Sequence, residues 1–575
     1  MSEEKITKSL EYIKNLKLGD ATYNSKIQRL YLQILESKKL ILQIEKFADA
    51  YSFDQSTPEN GFRSVIEIYF IAIAQALEAC DKPKGIRRLF MTRSRQINNI
   101  QNFCDIVDNF LKMFDALIEF HKNSKVKGSL IAEECESDNI IAKTYKEINI
   151  SSFYAQNIGF HHKTPSSLQS RQFSLIVTLF GDYYYSGKHL MVRILSIPMN
   201  ALKYIFNDHA RAMKHEDLIR NADIEFLGFT ALFFVSKLSC FIQNIFSYRL
   251  KVNKEIKIAP EPLQILSSKY SGLNGLNVSI PQIHIGVRPI VCKLYSAKAR
   301  HGMVGEKSSV EPSKTLIIHV HGGGFYTNSP QSHEVYLRDW VVKLDVPILS
   351  IKYSLAPKAP FPRALEEVFY VYCWVLKHGS LLGTTAENII LVGDSAGANL
   401  ITALTVKCIE RGVRLPQGIL SIYGLFLSNY SAIPSMMMGF MDINLHYNHM
   451  LRIFKTYAGH HKHLKFQRNG QIPKAPVNEF CDKIPKSHHM SPIWAPDEVI
   501  RQFPKTILLT TNLDLCLDEN VEFAKKLRRN EVDVKLDVIH GLIHGFNHMV
   551  KACSKSYEGS MMCVQHLQDL INQNK

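Results

Sequence analysis

Residues 388–412 read NIILVGDSAGANLITALTVKCIERG. The opening NIILV is a short apolar run of strand length, rich in β-branched residues. From Ala398 onward apolar residues recur at three- and four-residue steps, the spacing of one helix face. Between the two lies Gly393-Asp394-Ser395-Ala396-Gly397. A G-x-S-x-G pentapeptide alone is a modest signal. Set between a strand and a helix it describes a sharp turn that lifts a serine hydroxyl above the sheet, at the positive end of a helix. The flanking glycines remove side chains that would collide in such a turn.

Working outward, the runs 315–320 (TLIIHV), 346–352 (VPILSIK), 419–423 (ILSIY), 506–510 (TILLT) and VKLDVI at 534–539 have the same strand texture. Helical patterns such as PRALEEVFYVYCWVLKHG (362–379) lie between them. This alternation specifies an α/β fold with a mostly parallel sheet. After the strand 315–320 comes His321-Gly322-Gly323-Gly324-Phe325. Three successive glycines cost backbone entropy, and bare N–H groups are what such a loop supplies. Those of Gly323 and Gly324, with the amide of Ala396, are candidate donors to an oxyanion. A serine needs a base, and the base needs an orienting acid. In an α/β-hydrolase the chain order is Ser, acid, His. Asp514 follows the strand TILLT at the carboxyl end of the sheet, where ligand sites form. Asp518, four residues on, reads as the start of the next helix. His540 and His544 both follow VKLDVI. His544 is the chosen base because it sits in a loop before a helix, while His540 is read as structural.

The segments HGGGF, YSLAPKAPFPRALEE (353–367), GDSAGAN, SPIWAPDEVIRQFPK (491–505), DLCLDEN (514–520) and HGF (544–546) together resemble the hormone-sensitive lipase family of α/β-hydrolases. The resemblance is dense in the second half and looser in the first. It implies a carboxylic ester hydrolase in which Ser395, Asp514 and His544 act as triad. Gly323, Gly324 and Ala396 would form the oxyanion hole, supported by His321, Gly322, Gly393, Asp394 and Gly397. It also implies acylglycerols, with sterol esters as a second class, as substrates, and association with lipid droplets or membrane surfaces in intracellular lipid catabolism. No cofactor or metal is expected. The alternatives are a soluble short-chain carboxylesterase or deacetylase, and a non-catalytic receptor on the same fold. Two departures stand out. Lys358 occupies a position where the family usually carries an acid. Only 457–490 fills the place of the long regulatory insertion of animal members, and no Arg-Arg-x-Ser pattern occurs.

The first half differs in texture. SLEYIKNLKL (9–18), SKIQRLYLQILESKKLILQIEKFADAY (25–51) and FCDIVDNFLKMFDALIEFHK (103–122) are helical by periodicity. The expected organisation is a helical domain over 1–265 for lipid or partner interaction, a connector at 266–285, and a catalytic domain over 286–575 with a cap at 424–500. That cap holds Met436-Met437-Met438 and His460, His461 and His463. His161-His162 are read as structural or solvated rather than as metal ligands. The stretch FLGFTALFF at 226–234 is a candidate for a lipid interface, with burial in a core as its competitor. The chain carries 69 basic against 53 acidic residues, a net charge of +16. Without a dense Lys/Arg run or zinc-finger spacing, nucleic acid is not expected as a partner. Eleven scattered cysteines and an N-terminus without an apolar core point to the cytoplasm. The sequence assigns no oligomeric state.

Overall fold

The structure is a computed structural model. It describes residues 2–16, 19–81, 93–132, 139–155, 167–221, 226, 248–266, 275–428, 431–442, 445–460, 484 and 486–573. The first part is helical: α1 (Ser2–Lys14), α2 (Ala21–Ala48), α3 (Gly61–Cys80), α4 (Arg93–Asn123), α5 (Ile140–Glu147), α6 (Ile150–Ala155), α7 (Ser167–Tyr185), α8 (Leu190–Phe206) and α9 (Asp208–Asn221). The periodicity has its cause in packing. On α4, Phe103, Ile106, Val107, Phe110, Phe114 and Leu117 turn one face inward and are all buried. Starts are set by side-chain caps: the Asp20 carboxylate accepts from Tyr23 N at 2.8 Å and Asn60 Oδ1 from Arg63 N at 3.2 Å.

Ten strands follow: β1 (Val252–Ile258), β2 (Leu263–Ile265), β3 (Leu276–Val278), β4 (Ile290–Ser296), β5 (Ser313–Val320), β6 (Ile348–Lys352), β7 (Thr384–Asp394), β8 (Gly418–Ile422), β9 (Lys505–Thr511) and β10 (Val534–Ile539). Eight of them form one sheet in the order β1-β4-β6-β5-β7-β8-β9-β10. The six from β6 to β10 in that order are parallel, and β4 and β1 add an antiparallel edge. All six strands read from the sequence are parallel strands of this sheet. β2 and β3 pair separately. The helices α10 (Pro330–Leu344), α11 (Arg363–His378), α12 (Ala396–Arg411), α13 (Tyr447–Tyr457), α14 (Leu517–Arg529) and α15 (Ser554–Asn572) complete the α/β-hydrolase fold.

Two expectations need correction. β1 lies inside the stretch read as helical, so the sheet begins before residue 266. Its sequence VNKEIKI buries Val252 and Ile258 but carries three charges, as an edge strand does, and lacks the continuous apolar run of an inner strand. Helices α1 to α6 are also not a separate module. One continuous hydrophobic core runs from Ile6 to Ile543. Residues 431–442, expected in a cap, are part of that junction: Met437 and Met438 are fully buried in a short 3₁₀ helix over Pro434–Phe440 against α3 and α5. His461, His463, His161, His162 and all of 226–234 except Phe226 lie outside the described residues.

The fastener between the halves is the first turns of α14. Asp518 accepts from Gly61 N and Ser435 N, each at 2.7 Å. Glu519 Oε2 accepts from Phe426 N at 2.7 Å and Leu427 N at 2.8 Å. Glu522 accepts from Leu130 N at 3.1 Å, and Lys525 Nζ donates to Tyr51 O and Gly128 O. Burial pushes Asp518 up to about 7 and Glu519 up to about 8, against the pull of the amides they hold. A carboxyl whose pKa is raised on folding stabilises the protein below its unfolded pKa, and that contribution is lost as pH rises through the folded value. The thermal midpoint should therefore fall from about pH 4.5 to about pH 8 and level off above that. Glu519→Gln keeps an oxygen for both amides and cannot ionise, so it should flatten this decline. A variant with the same slope as wild type would show that Glu519 does not titrate in this range.

Candidate active site

The site grows from the end of β7. Ser395, directly after the strand, has φ 55° and ψ −121°, a conformation that L residues avoid. Ser395 N donates to Ile422 O at 2.9 Å, tying the turn to β8. A Cβ on Gly393 would meet the carbonyl of Gly397 at 2.5 Å, and a Cβ on Gly397 would strike the Val320 carbonyl of β5. The two glycines of the pentapeptide are thus required by contact between strand, turn and helix.

Two distant loops converge on the serine. His544 Nε2 lies 2.9 Å from Ser395 Oγ, and His544 Nδ1 lies 2.8 Å from Asp514 Oδ2. Asp514 is fully buried, and its Oδ1 accepts from Cys516 N at 2.8 Å. Burial would push the His544 imidazole down, but the charge and hydrogen bond of Asp514 outweigh it and hold His544 above its ordinary value. The competing candidates are elsewhere. Asp518 faces Gly61 and Ser435, as described. His540 points outward to Glu59 Oε1 at 2.9 Å. Tyr423 packs its ring 4.8 Å from that of His544.

The glycine loop reaches over the turn from β5. Gly323 has φ +115°, and a Cβ there would strike the Thr327 carbonyl. Tyr326 N and Thr327 N close back on Gly323 O at 3.2 and 3.0 Å. Among the described residues no hydrogen bond takes up the amides of Gly323 and Gly324. Ala396 is the first residue of α12, whose leading N–H groups have no partner within the helix. Ile453 of α13 lies over Gly324.

Below the loop is a buried polar nest. Asp394 Oδ1 accepts from Gly322 N at 3.0 Å and from Tyr336 Oη at 3.3 Å, and His333 Nε2 lies 3.2 Å away. Burial alone would raise Asp394, but the neighbouring His333 and His319 hold it well below the carboxylate range. His321 stacks on Tyr353 at 4.2 Å, and Tyr353 Oη donates to His321 O at 2.9 Å. Asp394 and His321, read as supporting residues, thus face the site from beneath. Lys358 is exposed, and its loop is held by Ala356 N donating to Phe325 O at 2.9 Å and by Glu367, which accepts from Ser354 N and Oγ.

Sequence reasoning missed a set of positioning residues. Asn512 Oδ1 accepts from Gly541 N at 2.7 Å, and its Nδ2 donates to Glu67 Oε2 at 2.8 Å. Glu67 on α3 and Glu59 before it therefore brace the segment that carries His544. No periodicity could reveal a partner more than 400 residues away. Among the described residues, three side-chain groups bring potential metal ligands within 4.8 Å: His333, Asp394 and His548; Glu410, His488 and His489; and Asp514, Cys516 and His544. In the last, both imidazole nitrogens are already engaged by Ser395 and Asp514.

A family model described as "Hormone-sensitive lipase (HSL) N-terminus" matches residues 7–304, and one described as "alpha/beta hydrolase fold" matches residues 317–548. The chain is 29% identical to "Hormone-sensitive lipase" of Bos taurus over 436 residues, 72% of this chain and 57% of that protein. It thus spans little more than half the length of that relative. An "Esterase" of Acinetobacter venetianus is 23% identical over 53% of this chain and 88% of its own. Among solved structures, a Pyrobaculum calidifontis esterase has 19% identity and a TM-score of 0.46, covering 61% of this chain and 94% of that one.

The electrostatics of the imidazole give a direct test. His544 should titrate above 6.5 by NMR. Asp514→Asn removes the charge that outweighs burial, so the imidazole should then titrate below 6.5. An unchanged titration would mean that Asp514 does not set the state of His544.

Proposed function

The chain belongs to the hormone-sensitive lipase family, and on that premise we propose that it is a serine carboxylic ester hydrolase acting on acylglycerols, with sterol esters as a second substrate class. One observation carries the reading: the unbroken line from Ser395 Oγ through His544 to the buried Asp514, at 2.9 and 2.8 Å. In this reading Ser395 Oγ attacks the acyl carbonyl carbon while His544 Nε2 takes the hydroxyl proton. Asp514 fixes the tautomer and stabilises the imidazolium. The carbonyl oxygen gains negative charge, which the amides of Gly323, Gly324 and Ala396 receive. As the tetrahedral intermediate collapses, the C–O bond to the alcohol breaks and His544 returns its proton to the departing alkoxide. Water, deprotonated by the same imidazole, then frees the acid from Ser395.

The reading extends to intracellular lipid catabolism at a lipid droplet or membrane surface. Among the described residues, no helix is long and apolar enough to cross a membrane. Attachment to such a surface is taken up below.

Ser395→Ala and His544→Ala should each lower kcat/KM for esters by roughly 10⁴-fold or more, because the two act as a unit. His540→Ala should cost far less, since its partner is Glu59. A panel from acetyl to long-chain esters should favour emulsified acylglycerols. Preference for short soluble esters alone would replace the lipase reading with a carboxylesterase, and activity surviving Ser395→Ala within tenfold would remove both.

A further inference from the structure

Ten of the seventeen residues of α8 are large apolar side chains open to solvent, out of twenty-four such side chains among the described residues of the whole chain. Met199 is 73% exposed and Phe206 72%. At 100° per residue the ten cover an arc of about 220°. What faces the protein is the opposite side, with Arg193 and Tyr204. Arg193 Nε donates to Tyr183 O at 2.8 Å and its guanidinium lies 4.0 Å from the Tyr183 ring centre. Tyr204 Oη donates to Asp182 Oδ2 at 2.7 Å, and Tyr204 O accepts from Arg211 Nη1 at 3.0 Å. An ordinary surface helix turns its apolar stripe inward. This one is fastened by its polar edge and presents the rest.

The shape of that face says what covers it. Packing against another protein element buries one stripe, because ridges meet grooves along a line of contact. A convex arc wider than half the helix is covered by a medium that flows around it, such as acyl chains. Charge points the same way. From Tyr183 to Asn207 there is no Asp or Glu, while Lys188, Arg193 and Lys203 are cationic. A cleft of about 780 Å³ opens beside the N-terminal end of α8, lined by Lys188, His189 and Arg193 with Tyr183 and Tyr184. Cations and aromatic rings at the edge of an apolar helix are the donors that lipid phosphates meet at an interface.

We propose that α8 is an interfacial docking helix that lies at the acyl–headgroup boundary of an anionic phospholipid surface. For its purpose this rests on the reading of the chain as an ester-lipid hydrolase, and it names the element that brings the protein to its substrate. The position fits. α8 packs on α9, the Arg452 guanidinium of α13 donates to Arg220 O at the end of α9, and Ile453 on that same α13 covers Gly324 of the glycine loop.

The test uses the full chain and a Leu195→Ser, Met199→Ser, Phe206→Ser variant, whose changes all fall on exposed side chains. Wild type should float with phosphatidylcholine vesicles containing phosphatidylserine, and less with phosphatidylcholine alone. The variant should lose at least about tenfold in vesicle affinity while hydrolysing a soluble short-chain ester like wild type. A separate Met199→Trp variant should show a blue shift of the added emission on vesicles. Undiminished flotation of the triple variant, or an unshifted Trp emission in floated protein, would overturn the proposal. A wild-type dimer that the triple substitution splits without altering vesicle binding would overturn it too. Wild type that floats but hydrolyses no ester would leave docking standing and remove the enzymatic reading instead.

Discussion

The backbone of Ser395 is held in a conformation that costs on the order of 1–3 kcal/mol, and the rest of the α/β half is built so that it cannot relax. The turn is bounded on one side by Val320 of β5, against which Gly397 leaves no room for a Cβ, and on the other by the hydrogen bond from Ser395 N to β8. Relief of the strain would require β5, β7 and β8 to part, and these are inner strands of the sheet. The same contact sets the distance between the serine and the glycine loop. Asp394, one residue before the serine, accepts the Gly322 amide and binds loop and turn into one unit.

The second half of the site is placed by a different means. Asp514 and His544 arrive on loops, and loops need bracing. Asp514 lies three residues before α14, whose first turns hold backbone amides from α3, from 424–442 and from Leu130. Glu67 of α3 reaches Asn512, which in turn holds Gly541 in the segment that carries His544. The N-terminal helices thus have two faces. One is packed against the loops that bring Asp514 and His544 together. The other, at α8, is turned away from the protein. A division into a catalytic half and a detachable targeting half does not describe this packing.

The legibility of the sequence followed the range of the interactions. Strand, pentapeptide and helix at 388–412 are a local pattern, and the turn they describe is the one found. That Asp514 and His544 stand in line with Ser395 was legible because position after a strand limits where a side chain can reach, and the same logic placed Asp518 and His540 elsewhere. Strand β1 was missed because an edge strand with Lys254, Glu255 and Lys257 has the composition of a helix surface. The bracing by Glu59, Glu67 and Asn512 was illegible because its partners are joined only by the fold. For an interfacial segment, sequence alone points to the strongly apolar run 226–234. α8 carries its signal in which side of the helix is polar and anchored, and that is known only once the neighbours of Arg193 and Tyr204 are in place.

On the proposed reading Ser395 is an activated nucleophile because His544 and Asp514 complete it. A fluorophosphonate reports this without a choice of substrate, since it phosphonylates a serine whose hydroxyl proton has an acceptor beside it. Peptide mapping of the labelled full-length protein should find the adduct on Ser395, with a labelling rate that falls as pH is lowered and His544 takes up its proton. Labelling of another residue, or a Ser395 that remains unmodified in folded protein, would contradict the account.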